Sequence, residues 1–454
     1  MPSVFLSFLG TNRYIPCNYS YAGKETIAGV HFIQEALVRM FCNDFNTSDR
    51  ICIFLTREAR HKNWEPGFGP AQPARRSLKT WRRIFPRRKT KTENNYPGLK
   101  ACLAPWVSHT NLIEKDIPDG LNEQEIWTIF NAVYEQVPQQ AEVYLDITHA
   151  FRSIPMLATV LLNYLYVVKN ISVKGIFYGA FETLGSVRMA EKIPLKKRTA
   201  PVINLLPFYE LHRWSNAAHA FVFYGISGEM TKLVRENVWQ RKDEGLNYLT
   251  RFANYLTQVS GAFSTLRGQK IVDGTDFETL QQTLSVLKKE KGLEPLSPLL
   301  EVIAQKISPF KKYDIHNGLY AIAWCIEHNL IQQAVTLIQE VAITWLCQQF
   351  SQHYSLSYKK QKDRELVNLA FNILAQPNRK ELHTNKKAVM LSSEDLFKQF
   401  HPVYNSMRNL RNSINHGGYT DRIEAGKFYD TIKNTYRNLK TLIEKYENPG
   451  ASDQ

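Results

Sequence analysis

The chain has 454 residues, is 44% hydrophobic and 22% charged, and carries a formal net charge of +15. The length exceeds one ordinary core and the composition excludes a disordered chain, so about two to four globular domains are expected. The positive excess points to a polyanionic partner before a membrane surface, yet it is concentrated: Arg60 to Gly98 holds eleven Lys or Arg against two Glu, a net +9 that leaves +6 for the rest.

In chain order, Val4 to Leu9 reads as a buried strand that stops at Gly10. Ile27 to Phe41 has helical spacing, and Ile51 to Thr56 is a second buried strand. The stretch from Glu65 to Pro97, rich in Pro, Gly, Arg and Lys, has no period and reads as a long insertion. The turn Pro118-Asp119-Gly120 precedes an amphipathic helix over Leu121 to Val137. Val143 to Thr148 is a strand and Pro155 to Val168 the helix after it, with further strands at Val173 to Tyr178 and Val202 to Leu206. Strands alternating with helices predict an α/β, Rossmann-like parallel sheet, which places ligands at the carboxyl ends of its strands.

From Pro207 onward helical periodicity dominates and the half is read as all-α. Leu246 to Phe263, Phe277 to Lys289, Ala321 to Phe350, Ser393 to Asn415 and Ile423 to Tyr446 all read as helices. The turn sequence Lys306 to Asn317 marks an internal boundary. The domains expected are therefore 1–206, with the basic insertion at about 60–98, then 207–315, a helical connector, and 316–454.

Several chemistries are not called for. There is no G-x-x-x-x-G-K-S/T, no G-x-G-x-x-G and no H-E-x-x-H. Six cysteines lack C-x-x-C or a His-paired metal spacing, so no metal is expected, and free thiols in a reducing cytoplasm are. No signal peptide is expected, and the longest apolar run, Met156 to Val168, is too short to span a bilayer.

Two stretches carry candidate chemistry. In the first, Asp146-Ile147-Thr148-His149-Ala150-Phe151-Arg152-Ser153-Ile154-Pro155 leads from strand to helix. Ser153 and Pro155 make a good helix start, and free N–H groups beside Arg152 favour an anion. The loops Gly10 to Arg13 and Tyr178 to Glu182 are expected at the same sheet edge. Three polar loops there suit a nucleotide-like ligand, although helix capping and a salt bridge for Arg152 account for the same residues.

The second stretch is Arg411-Asn412-Ser413-Ile414-Asn415-His416-Gly417-Gly418. Arg can hold a phosphate and His can move a proton near neutral pH. Of twelve histidines only His416 has an Arg five places before it. The glycines read as a helix stop, so His416 falls in the last turn. Arg411 then points about 140° away from His416, so two copies, rather than one helix, would bring the groups together. A helix-terminal histidine that caps carbonyls fits the same position.

The runs Ile117 to Gly120, Glu125 to Phe130, Asp146 to Ser153 and Tyr178 to Ala180 resemble, in order and spacing over about 200 residues, the N-terminal domain of CARF–HEPN ribonucleases of type III CRISPR systems. The family commonly has Gly where this chain has Ala150. The resemblance implies a homodimer, or higher even oligomer, that binds a cyclic oligoadenylate activator across its two-fold axis, most commonly cyclic tetra-adenylate. It needs no cofactor. Carried onto this sequence, Thr11, Asn12, Thr148, His149, Phe151, Arg152 and Ser153 would contact the ring. Arg411, Asn412 and His416 match the HEPN nuclease motif, with Arg and His catalytic and the polar residue assisting.

The function implied is a metal-independent endoribonuclease acting on single-stranded RNA. The ribose 2′-OH attacks its own 3′-phosphate, leaving 2′,3′-cyclic phosphate and 5′-OH ends. A rival from another class is a ligand-sensing nucleic-acid-binding regulator without catalysis, using the basic segment and the helices between Pro207 and Tyr313. A narrower rival adds slow cleavage of the messenger by the sensor domain. The basic insertion, with Trp81 and Phe85 at i, i+4 among its cations, is read equally as a segment that binds RNA or helps form an oligomer and as a solvated loop without a partner.

Overall fold

The structure, a computed structural model, describes residues 1–65, 97–107, 110–149, 154–238, 245–419 and 423–447. The chain divides into two compact units, Met1–Glu210 and Leu211–Gln454.

The first unit is built on β1 (Ser3–Phe8), β2 (Cys17–Ser20), β3 (Ile27–Val30), β4 (Arg50–Leu55), β5 (Asn111–Asp116), β6 (Glu142–Asp146), β7 (Ser172–Gly179) and β8 (Thr199–Asn204). They form one sheet in the order β3-β2-β8-β7-β6-β1-β4-β5. The five strands β5-β4-β1-β6-β7 are parallel, whereas β8 runs antiparallel to β7 and β3 antiparallel to β2. The sheet is thus mixed rather than wholly parallel. β8 follows β7 through short helical turns, with no long crossover helix to carry it back to a parallel start.

Alternation along the strands fills two layers. Phe5, Ile51 and Ile53 pack on one face with Ile33, Ala36 and Leu37 of α1 (Ile33–Phe41). Val4, Leu6 and Phe54 pack on the other with α2 (Glu123–Gln136) and α3 (Ile154–Lys169) through Ile129, Val133, Leu161 and Leu165. Asn122 caps α2 by accepting from Glu125 N at 2.9 Å, and Glu125 takes Leu121 N in return at 2.9 Å.

The helix expected over Ile27 to Phe41 begins at Ile33. Ile27–Val30 is instead a strand on β2, and Gly29, at φ 68°, supplies a backbone turn no helix contains. The insertion begins later than Arg60. Arg60 binds Glu114 at 2.5 Å and Asp116 at 2.8 Å, and Trp64, fully buried, donates to Glu114 at 2.8 Å. Lys100, beyond the insertion, reaches the same carboxylate at 2.9 Å. Hydrogen bonds from Lys100 and Arg60 hold the Glu114 pKa down at about 2. Both stems of the insertion are therefore clamped to one β5 side chain, while residues 66–96, including Trp81 and Phe85, lie outside the described residues.

The second unit is helical throughout its described residues, with one hydrophobic cluster running from Trp214 to Ile443. The single helix expected from Ala321 to Phe350 is two, Asn317–Glu327 (α4) and Ile331–Gln349 (α5). Asn329 takes the left-handed conformation, φ 56°, and Leu330 N returns to Cys325 O at 2.8 Å, which closes α4. Then come α6 (Gln361–Ala375), α7 (Asp395–Asn415) and α8 (Ala425–Glu447). On α7, Phe397, Phe400, Val403, Tyr404, Met407 and Leu410 are buried, a helical stripe that leaves the opposite face polar. No helix among the described residues is long and apolar enough to cross a membrane.

Candidate functional site

The strand order reverses at β1. The chain passes from β1 toward β4 on one side and returns to β6 on the other, so the loops after β1 and β6 meet at a topological switch point. The carboxyl end of β7 lies beside them. The three loops singled out in the sequence thus share one edge.

Their geometry starts from a buried carboxylate. Asp146, fully buried at the end of β6, pairs in register with Ser7 and accepts from its hydroxyl at 2.7 Å. Its other oxygen accepts from the Thr148 hydroxyl at 2.6 Å and Thr148 N at 2.9 Å. Burial raises the Asp146 pKa against the opposing pull of these bonds. The Thr148 hydroxyl in turn accepts from Gly179 N at 2.8 Å, tying the β6 loop to the end of β7. Most of its capacity is therefore spent inside the fold, with one lone pair left over.

His149 follows, its ring edge-on to Tyr14 with centroids 4.9 Å apart. Its Nε2 is buried without a hydrogen-bond partner, and burial lowers its pKa to about 4, so the ring is neutral at pH 7. A side chain at Gly10 has no room. A Cβ there would meet the Tyr14 hydroxyl at 2.9 Å and His149 Cβ at 3.1 Å. Gly10 N donates to the Tyr14 hydroxyl at 3.1 Å, and Asn63 Nδ2 donates to the carbonyls of Gly10 at 2.8 Å and Asn12 at 3.0 Å. Thr11 is half-buried and Asn12 exposed on this braced loop. Arg13 is held by Glu191 at 2.7 Å.

Of the seven ring-contact residues expected, Thr11, Asn12, Thr148 and His149 lie at this edge. Phe151, Arg152 and Ser153 lie outside the described residues. Sequence reasoning missed Tyr14 and Asn63. Nothing local marks Asn63, whose role depends on a carbonyl 51 residues away.

The second candidate site ends α7. His416 is the helix C-cap, with its N donating to Asn412 O at 3.0 Å. Gly417 and Gly418 sit at φ 62° and 69°. Gly418 N reaches Ser413 O, and Gly417 N reaches Ile414 O, each at 3.0 Å. This is a Schellman closure, which only residues tolerant of positive φ can make. The Asn412 and His416 side chains are exposed and Arg411 is half-buried. None of the three makes a side-chain hydrogen bond or ion pair with another described residue. The exposed cluster is free to meet a ligand, but one copy of α7 does not bring Arg411 to His416.

Comparison with known proteins adds three findings. Residues 4–182, less than half of the chain, match the family model described as CRISPR system endoribonuclease Csx1, CARF domain. The CRISPR-associated protein MJ1674 of Methanocaldococcus jannaschii is 28% identical over 309 residues, 66% of this chain, and the chain spans 42% of that relative's length. The solved structure of Enterococcus italicus Csm6 bound to cyclic hexa-2'-fluoro-hexa-dAMP covers 100% of this chain and 96% of its own at 12% identity and TM-score 0.45. The matched segment runs from β1 through the end of β7, so the similarity to the Csx1 CARF domain model covers the α/β sheet and the switch-point loops at its edge.

Proposed function

We propose that the protein is a cyclic oligoadenylate-activated endoribonuclease of CRISPR antiviral defence, acting on single-stranded RNA without a metal. The observation that carries the reading is the match of residues 4–182 to a domain model described as part of an endoribonuclease. Residues 1–206 act as the sensor, 207–315 as a connector and 316–454 as the nuclease. At the sensor, the neutral His149 ring and the loop of Thr11 and Asn12 receive an adenylate ring, most commonly four units. At the end of α7, His416 serves as general acid or base, Arg411 stabilises charge on the phosphorane, and Asn412 assists.

The working unit is a homodimer. α3 begins directly after the β6 loop and exposes Met156 (79%), Val160 (54%) and Val167 (75%) along one stripe. An apolar stripe of this kind on a soluble domain marks an interface. A two-fold axis beside α3 would bring two copies of the ligand loops together, and each chain would offer the same groups to half of a symmetric ring.

The test compares wild type with His416→Ala on labelled single-stranded RNA, with and without cyclic tetra-adenylate. Ring-stimulated cleavage leaving 2′,3′-cyclic phosphate ends is expected from wild type and none from the variant. Cleavage by the variant at the wild-type rate would reject His416 as catalyst.

A further inference from the structure

Within one subunit, the side of α7 that leads to His416 carries a different arginine from the one in the motif. At about 100° per residue, Arg408, Asn412 and His416 advance by only about 40° at each step, so they occupy successive turns of one side. On the same wheel Arg411 falls inside the span of the buried stripe, with Phe400 and Tyr404 about 20° to either side, while Arg408 borders it. Arg408 is half-buried and its Nη1 donates to Asn372 Oδ1 of α6 at 3.1 Å, which aims the guanidinium. Neither Arg408 nor Arg411 forms an ion pair with a described carboxylate. Arg364 on the neighbouring α6 shows the ordinary alternative, because Glu340 neutralises it and Thr344 takes a further N–H at 2.8 Å. A half-buried guanidinium held in place by a neutral amide, with no counter-ion among the described residues, is a waiting anion site.

We infer that Arg408 holds a backbone phosphate of the RNA substrate other than the scissile one, and so sets the strand's path along α7 toward His416. The inference rests on the nuclease reading and deepens it. Arg408 is a positioning residue: it grips the substrate about 12 Å along the helix from His416 and takes no part in the proton transfers. Phosphate contact carries no base information, so its loss weakens all sequences alike.

The experiment measures binding of a fluorescein-labelled single-stranded RNA of mixed sequence to the full chain, across a salt series, with adenylate rings of four and six units in parallel arms. It uses the His416→Ala background so that no strand is cut. Arg408→Ala is expected to weaken binding several-fold and to reduce the slope of log affinity against log salt by about one. Arg408→Lys keeps the slope. Asn372→Ala, which removes the α6 bond but leaves the charge, also keeps it. A merely structural Arg408 would give parallel losses in Arg408→Ala and Asn372→Ala. With His416 intact, Arg408→Ala should raise KM far more than it lowers kcat. RNA cleavage by wild type with an unaltered slope in Arg408→Ala overturns this inference alone. A wild type that neither binds nor cleaves RNA overturns the nuclease reading and this inference with it.

Discussion

The Thr148 hydroxyl links two loops of the sensor edge, and its removal has a calculable cost. It donates to Asp146 at 2.6 Å and accepts from Gly179 N at 2.8 Å. Thr148→Val keeps the shape but deletes both bonds. A hydrogen bond to a carboxylate contributes ~1.5–3 kcal/mol, and an orphaned backbone N–H costs ~1–3 kcal/mol. Because Thr148 is only half-buried, water recovers part of this, and a total of about 2–4 kcal/mol is expected. Thr148→Ser keeps the hydroxyl and loses one methyl, about 1 kcal/mol. The bond sits at the end of β7, so the opening it prevents is local. Hydrogen exchange at the Gly179 amide should accelerate roughly 30- to 700-fold in Thr148→Val, at tenfold per 1.4 kcal/mol. In Thr148→Ser it should stay within about tenfold of wild type by the same conversion. Equal exchange rates in the two variants would refute the assignment of that hydroxyl as the tie between β6 and β7.

Two further outcomes are expected. His316 bridges Asp314 at 2.8 Å and Glu447 at 2.7 Å, fastening the end of α8 to the start of α4. Burial alone would lower its pKa, but the hydrogen bonds to Glu447 and Asp314 outweigh it and the net shift is upward. The clamp's contribution is therefore complete below the unfolded value of about 6.5 and drains away as pH rises through the folded value. The gap in melting temperature between wild type and His316→Gln should narrow with rising pH, and a gap independent of pH would reject the clamp. On α3, Val167→Glu places a charge on the exposed apolar stripe. The variant should elute as a monomer in light-scattering chromatography with its circular dichroism unchanged, whereas a persistent dimer would put the interface elsewhere.

The two architectural halves were legible because hydrophobic period reports burial directly. Val4 to Leu9, apolar but for Ser7, and Ile51 to Leu55 are short apolar runs of the length and composition that a strand covered on both faces has. Phe397 to Leu410 repeats at three and four residues, as one buried helix face must. The helix stop after His416 was readable too, because Gly417 and Gly418 adopt conformations other residues resist. Strands β2, β3 and β5 were not legible. They are short or edge strands, and β5 is exposed over much of its length, so their sequences carry little burial signal. Cys17–Ser20 becomes a strand because β8 lies beside it, not because of its own residues.

At the sites, the sequence by itself determined which chemical groups were present and which helices and strands carried them. Motif order and local spacing are properties of the chain alone. Only the tertiary structure decided how those groups are held. Thr148 spends its hydroxyl on Asp146 and Gly179, His149 is held neutral against Tyr14 with its Nε2 buried, and Asn63 braces a loop from 51 residues away. It also gave Arg408 a neutral partner where Arg364 received a carboxylate. Hydrogen-bond partnership and burial depend on neighbours distant in sequence, which packing brings together and which no local pattern encodes.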